Sequence, residues 1–276
     1  MKPIPVMVNG LPGSMALAVA RHILADNRFE LVPCSLTGPE ITETTAGVDG
    51  VAVTLLAPAG RGEALEAMGV DAEKIICVDF THPSAVNENA VFYREKGLFF
   101  VMGTTGGDRE KLVETVRSSS ISAVIAPNMA KQIVGFQAMM AHAAENFPGL
   151  FDGYRLRVVE SHQQGKADTS GTAKAVVDSF NRLGVDFSVA QIEKERNPEV
   201  QTREWKIPEQ YLSGHGWHTY SLVSPDGTVS FSFTHNVNGR DVYARGTLDA
   251  VVFLAAERKK GQIGRVYSMI DVLKGR

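Results

Sequence analysis

The stretch Ile4-Pro5-Val6-Met7-Val8-Asn9-Gly10-Leu11-Pro12-Gly13-Ser14-Met15 decides how this chain folds. It opens as a short apolar run and turns through two glycines. It then enters a segment in which Met15, Val19 and Ile23 share a face with Ala16, Ala20 and Leu24. Strand, glycine turn and amphipathic helix in that order begin a βαβ unit. In such a turn the backbone can approach a pyrophosphate, and the unpaired N–H groups and dipole of the helix start favour negative charge. The match to G-x-G-x-x-G is incomplete, because Pro12 replaces the middle glycine and Ala16 stands at the third. Gly10, Leu11, Pro12, Gly13, Ser14 and Met15 are therefore expected to bind a dinucleotide, on position more than on motif.

Working outward, further strands are predicted over residues 31–35, 51–56, 74–79, 98–102 and 123–126, with helices over 61–68, 84–95 and 109–118. This alternation predicts an α/β domain with a Rossmann-like parallel sheet. Three more turns fall where parallel strands end, the place where such sheets bind ligands. They nominate Phe80 and Thr81, then Gly103, Thr104 and Thr105, then Ala126, Pro127, Asn128 and Met129. The second strand should end near Cys34-Ser35-Leu36-Thr37, with no acid before Glu40. Without a carboxylate there a 2′-phosphate is not repelled. Ser35 and Thr37 are expected to donate to it, with Arg61 as a further partner, so NADPH should serve at least as well as NADH.

After about residue 130 the pattern changes. A helix over 131–146, a strand over 154–161, a helix over 172–183 and strands over 217–223 and 228–237 joined at Pro225-Asp226-Gly227 predict a second, α+β domain with a mixed or antiparallel sheet. Helical patterns return over 249–258 and 265–273. The expected domains are 1–130, with 241–276 packing back on it, and 131–240, with hinges near 126–130 and Arg240.

The 276 residues are 44% hydrophobic and 21% charged with a net charge of -3, an ordinary soluble composition that argues against nucleic acid or an anionic membrane as partner. The longest apolar run, residues 250–256, is far shorter than the ~20 residues of a membrane span. The two cysteines, Cys34 and Cys77, sit in apolar runs and read as buried thiols. No apolar leader is visible at the start, so the expected location is cytoplasmic, or plastid stroma if a transit peptide has been removed.

The run that carries chemistry is Glu160-Ser161-His162-Gln163-Gln164-Gly165-Lys166-Ala167-Asp168-Thr169-Ser170-Gly171-Thr172-Ala173-Lys174. His162 and Lys166 are proton-carrying side chains around a loop, and Ser170, Gly171 and Thr172 start a helix suited to a carboxylate. A histidine of ordinary pKa, near 6.5, would exchange a proton at neutral pH. A capped helix after a polar loop would look the same. His215 and His218 could suggest a metal pair, but no third ligand is adjacent, so a surface or interface role is expected and no metal.

This run resembles the signature of the dihydrodipicolinate reductase family, whose common bacterial form reads E-x-H-H-x-x-K-x-D-A-P-S-G-T-A. Glu160, His162, Lys166, Asp168, Ser170, Gly171, Thr172 and Ala173 fall into it. Gln163 replaces the second histidine and Thr169 the Ala-Pro pair, both similar to the plant-type branch. Gly10, Gly13, Met15, Phe80-Thr81, Gly103-Thr104-Thr105-Gly106, Asn128 and the run from Thr234-His235 to Arg240 extend the resemblance along nearly the whole chain. It implies reduction of 4-hydroxy-tetrahydrodipicolinate to tetrahydrodipicolinate by NAD(P)H, in diaminopimelate and lysine biosynthesis. His162, or Lys166 acting with it, would supply the proton. Lys166, Ser170, Gly171, Thr172 and Arg240 would hold the small dicarboxylate. The resemblance also implies a homo-oligomer, dimer or tetramer, assembled through the second domain's sheet. Two alternatives are a related reductase or dehydrogenase acting on another imino or aldehyde acid, and a dinucleotide sensor without turnover.

Overall fold

The computed structural model describes residues 2–69 and 71–275. They form two compact units, one running to Lys131 and resuming at Asp241, the other spanning Gln132–Arg240. The first is built on a six-stranded sheet made of β1 (Ile4–Asn9) and β2 (Phe29–Leu31), then β6 (Ile76–Asp79), β7 (Phe99–Met102), β8 (Ala123–Ile125) and β13 (Val266–Tyr267). A second, three-stranded sheet holds β3 (Cys34–Leu36), β4 (Thr45–Val48) and β5 (Val51–Leu56). The six strands lie in the order β13-β8-β7-β6-β1-β2 and every pair is parallel. β1, β6 and β7 are almost continuously buried, as strands covered on both faces must be. Helices α1 (Ser14–Leu24), α2 (Arg61–Ala67), α3 (Val86–Glu95) and α4 (Arg109–Arg117) follow in this unit.

Two expectations fail here. The strand predicted over 31–35 is broken at Val32-Pro33 and its halves join different sheets, because a proline supplies no N–H to a ladder. The strand over 51–56 is not part of the parallel sheet. It pairs antiparallel with β4 across Asp49-Gly50, both at positive φ (45° and 89°), a two-residue hairpin turn.

The second unit carries the sheet β10-β9-β11-β12, formed by β9 (Arg155–His162), β10 (Glu193–Glu195), β11 (His215–Val223) and β12 (Ser230–Asn238). Its β9–β10 pair is parallel and the other two are antiparallel, so the sheet is mixed. Helices α5 (Lys131–Asn146) and α6 (Gly171–Arg182) place Met140, Ala144, Val176, Val177 and Phe180 in a core with Val158, Tyr220 and Leu222 from one face of the sheet. A short α7 (Pro198–Arg203) precedes β11.

The chain then returns to the first unit as α8 (Asp241–Lys259), which packs against α1, β6 and β7. This helix begins at Asp241 rather than 249. Its first turns bury the small residues Ala244, Gly246 and Thr247, which a search for large apolar residues passes over. A Cβ at Gly246 would collide with the Met129 carbonyl. The helix expected over 265–273 is instead β13 followed by α9 (Met269–Lys274), which starts at a Ser268 cap reciprocated by Asp271. Cys34 and Cys77 are free and buried. Among the described residues no helix is long and apolar enough to cross a membrane.

Candidate active site

In the first unit the carboxyl ends of β1, β6, β7 and β8 stand side by side, so the four nominated turns form one row. The row is laced by backbone bonds from Phe80 N–H to the Asn9 carbonyl, Gly103 N–H to the Asp79 carbonyl and Ala126 N–H to the Met102 carbonyl. Gly10 adopts φ +102° and a Cβ there would strike the Phe80 carbonyl, so two turns meet where only glycine fits. Replacing Gly10 by alanine should weaken dinucleotide binding tenfold or more, read by fluorescence titration; unchanged affinity with unchanged thermal stability would contradict this contact.

Above the turn lies a cavity of about 960 Å³, large enough for a dinucleotide half, lined by Gly10 to Ser14, Phe80, Thr81 and further residues. α1 starts at Ser14 with no side-chain cap, leaving its first N–H groups free for a phosphate. These features fit a bound dinucleotide.

The hydroxyls expected to contact the cofactor also hold the turns themselves. Ser35, fully buried, accepts from Leu11 N–H, and Thr37 donates to the Leu11 carbonyl, so both shape the glycine turn. Thr81 and Thr104 each donate to Asp79 at 2.7 Å. Asp79, which sequence reasoning passed over as the end of a strand, is wholly buried and also accepts from Asn89 and Tyr93. Asn9 donates to the Tyr93 hydroxyl and accepts from Leu36 N–H. One carboxylate thus fixes two of the nominated turns. Thr105 and Pro127 are exposed, Met129 is buried, and the Asn128 side chain accepts from Ala130 N–H in front of α5. Glu40 also differs from expectation: its carboxylate folds back over Gly38, at the tip of β3, and lines the cavity together with Arg61. Arg61 donates to Asn89 at 2.7 Å and lies over the Phe92 ring.

In the second unit, strand register builds a separate cluster of ionisable side chains. Glu160 on β9 is opposite His218 on β11, and His218 is opposite His235 on β12, so the three side chains form a row across the helix-covered face. His162 lies two residues along β9, opposite Gly216. Glu160 is completely buried. Arg196 Nη2 donates to its Oε1 at 2.5 Å and Ser170 N–H to its Oε2 at 3.0 Å. Arg196 Nε also donates to the Lys166 carbonyl at 2.9 Å, and Gln201 Nε2 donates to the His162 carbonyl at 2.7 Å. These two side chains hang the loop from His162 to Ser170. They were missed because Glu193-Lys194-Glu195-Arg196 reads as a solvated charge run.

At the far side of that loop α6 begins at Gly171 without a side-chain cap, exposing Gly171 and half-burying Thr172. Lys166 Nζ pairs with the exposed Asp168 at 2.7 Å, and this ammonium holds the Asp168 carboxyl below its usual range. Arg240 is exposed just beyond β12, its guanidinium beside Gly214. The end of β9, the start of β11 and the end of β12 coincide in register, so the sheet brings His162 and Arg240 to one end.

The ordinary histidine expected at 162 is not what the fold provides. Its Nδ1 lies 3.0 Å from the His215 carbonyl, which makes Nδ1 the protonated nitrogen, and Nε2 is buried with no partner. Burial pushes its pKa down to about 4, against the pull of Glu160. His215 and His218 are buried rather than superficial. His215 is held by Ser161 and by the Tyr211 carbonyl, whereas both His218 nitrogens lack partners. Burial, followed by the charges of His235, His162, Arg196 and Lys166, takes His218 to about 2. Burial lowers His215 and His235 as well.

The unfolded chain binds protons on these histidines near pH 6.5 while the folded chain does not until lower pH, so stability is full above about pH 6.5 and falls as pH drops toward 4. Urea midpoints between pH 7.5 and 5 should decline, and His218→Gln should flatten that decline; an equal slope in the variant would contradict it.

A parallel sheet with a dinucleotide cradle, joined to a unit with a cationic loop and an open helix start, defines a nicotinamide-dependent oxidoreductase of two-unit plan. Family models described as "Dihydrodipicolinate reductase, N-terminus" and "Dihydrodipicolinate reductase, C-terminus" match residues 4–129 and 133–273. The chain belongs to the dihydrodipicolinate reductase family. It is 48% identical over 272 residues to 4-hydroxy-tetrahydrodipicolinate reductase 1, chloroplastic, of Arabidopsis thaliana, covering 98% of this chain and 78% of that protein. To 4-hydroxy-tetrahydrodipicolinate reductase of Anaeromyxobacter sp. (strain Fw109-5) it is 29% identical, over 98% of this chain and 97% of that protein. A dipicolinate-bound dihydrodipicolinate reductase from Paenisporosarcina sp. TG-14 has the same fold, with TM-score 0.65 at 18% identity over 96% and 97% of the two chains.

Proposed function

We propose that this chain reduces 4-hydroxy-tetrahydrodipicolinate to tetrahydrodipicolinate in lysine biosynthesis, using the residues gathered at the two sites. The observation that carries it is the open start of α6, at the end of the Lys166 loop and in the same unit as Arg240: groups suited to a small dianion. The names of relatives at 44–48% identity support the substrate. When bound, the reduced nicotinamide supplies a hydride to ring carbon 4. The 4-hydroxyl leaves as water, and one proton is consumed.

This chain's residues then have distinct tasks. Arg196 neutralises Glu160, so the buried carboxylate beneath Ser170 does not repel a substrate carboxylate from α6. Gly171 and Thr172 N–H groups and the Arg240 guanidinium hold the two carboxylates. The proton comes from the His162–Lys166 pair. Lys166 pairs with Asp168 in the loop, and His162, neutral at rest, becomes a donor when the substrate's negative charge arrives and favours its protonated form. Reduced cofactor should be oxidised in a mixture of dihydrodipicolinate synthase, pyruvate and aspartate semialdehyde when this chain is added; no oxidation above background at high enzyme would sink the proposal.

We infer that both NADPH and NADH are used, with Arg61 serving the 2′-phosphate and Glu40 the free ribose hydroxyls. Arg61→Ala should lower kcat/KM for NADPH about tenfold or more and leave NADH within about twofold, and Glu40→Gln should cost NADH more. Parallel losses for both cofactors in each variant would count against this division. Assembly through the sheet of the second unit belongs to the same reading, since the face opposite α5 and α6 presents exposed Ser232, Thr234 and Asn236. The chloroplastic names of the plant relatives support a plastid setting.

A further inference from the structure

The row of ionisable side chains under the loop holds more than a proton donor needs. Glu160, His162 and His218 each offer one ligand atom, and these atoms all lie within 4.8 Å of one another. Among the described residues His162 Nε2 and both nitrogens of His218 are buried without a hydrogen-bond partner, and the His218 side chain is 4% exposed. Unpaired buried polar atoms cost free energy, so two such imidazoles beside one buried carboxylate call for an occupant.

We propose that Glu160, His162 and His218 form a binding site for a zinc-class transition-metal ion, whose occupancy silences the reductase by taking the nitrogen His162 needs for its proton. The second half rests on the role given to His162 above; the binding half does not.

The donor set selects the ion. Two imidazoles and one carboxylate suit zinc, nickel or copper, whereas magnesium and calcium require mostly oxygen ligands. The supports that orient metal ligands are present. His162 Nδ1–H donates to the His215 carbonyl, which fixes the tautomer leaving Nε2 free. Arg196 occupies Glu160 Oε1, and Oε2 faces His218 Nε2 at 3.8 Å. Ligand atoms around tetrahedral zinc stand about 3.4 Å apart, so binding draws these three together by about an ångström. The cationic Arg196 and Lys166 nearby limit affinity and make the site responsive rather than permanently filled.

The test titrates the full chain with Zn2+ against a chromophoric chelator and records the visible spectrum of its Co2+ form. Expected are one ion per chain, a tetrahedral cobalt spectrum and a tenfold or greater loss of affinity in His218→Gln, with His142→Gln unchanged. A wild-type affinity equal to that of His218→Gln, or a cobalt spectrum of six-coordinate type, would overturn the site and leave buried water as the occupant. The cobalt spectrum of the wild type keeps the proposal testable if His218→Gln fails to fold. In the cofactor-oxidation assay Zn2+ should abolish turnover, a chelator should restore it, and His218→Gln should resist inhibition. Binding without inhibition would overturn the regulatory half alone. An inactive chain that still binds zinc would overturn the proposed reaction while leaving the site intact.

Discussion

His162→Gln lowers kcat by two to four orders of magnitude while KM changes less than about fivefold. Glutamine is polar and of similar size, so the loop held by Arg196 and Gln201 should survive the change. What disappears is a side chain that can gain and release a proton. The split between kcat and KM is the informative part, because the dicarboxylate is held elsewhere, by the α6 start and Arg240. Thr172→Val provides the opposite control, raising KM severalfold with kcat nearly unchanged. Steady-state kinetics with saturating cofactor separate the two. Full kcat in His162→Gln together with collapse in Lys166→Met would move the proton step to the lysine alone.

Arg196→Met costs unit two about 3–5 kcal/mol of stability, the penalty for stranding a buried charge. Glu160 has no exposed surface and Arg196 is its one cationic hydrogen-bond donor among the described residues, with a side chain only 16% exposed. The cost is mainly the stranded carboxylate rather than the lost bond. The double variant Arg196→Met/Glu160→Gln should therefore recover more than half of it. Urea unfolding of the three proteins measures this directly. A loss under about 1 kcal/mol in the single variant would mean that the pair does not hold the loop.

The fold was legible wherever burial pattern and turn chemistry agreed. The run from Ile4 to Met15 read correctly as strand, turn and helix because apolar strand, glycines and a 3.6-residue period followed in order. The β11–β12 hairpin was legible from Pro225-Asp226-Gly227 for the same reason. The three-stranded sheet was not, although Asp49-Gly50 carried a hairpin signal, since β4 is too exposed and too short to show alternation. Individual hydroxyls carry a task the sequence did not mark. Ser35, Thr37, Thr81 and Thr104 stand at the nominated turns and hydrogen-bond Leu11 and Asp79, partners brought near by the sheet.

The histidines show where linear reading stops. His215 and His218 looked like a pair lacking a third ligand, yet the side chains that flank His218 are Glu160 and His235, brought from neighbouring strands by register. Arg196 and Gln201 likewise act across the sheet on carbonyls that the sequence does not mark. Even the ordinary pKa assumed for His162 depended on burial that only tertiary structure supplies.

The central claim is hydride delivery to a dicarboxylate ring held over this second-unit loop. The most direct measurement supplies the chain with reduced cofactor deuterated at nicotinamide carbon 4, together with substrate generated by the synthase, and reads the product by mass spectrometry. One deuterium at ring carbon 4 of tetrahydrodipicolinate for each cofactor oxidised is the predicted result, with labelled product formed more slowly in proportion to kcat in His162→Gln. Cofactor that stays reduced, or a product without label, would contradict the account.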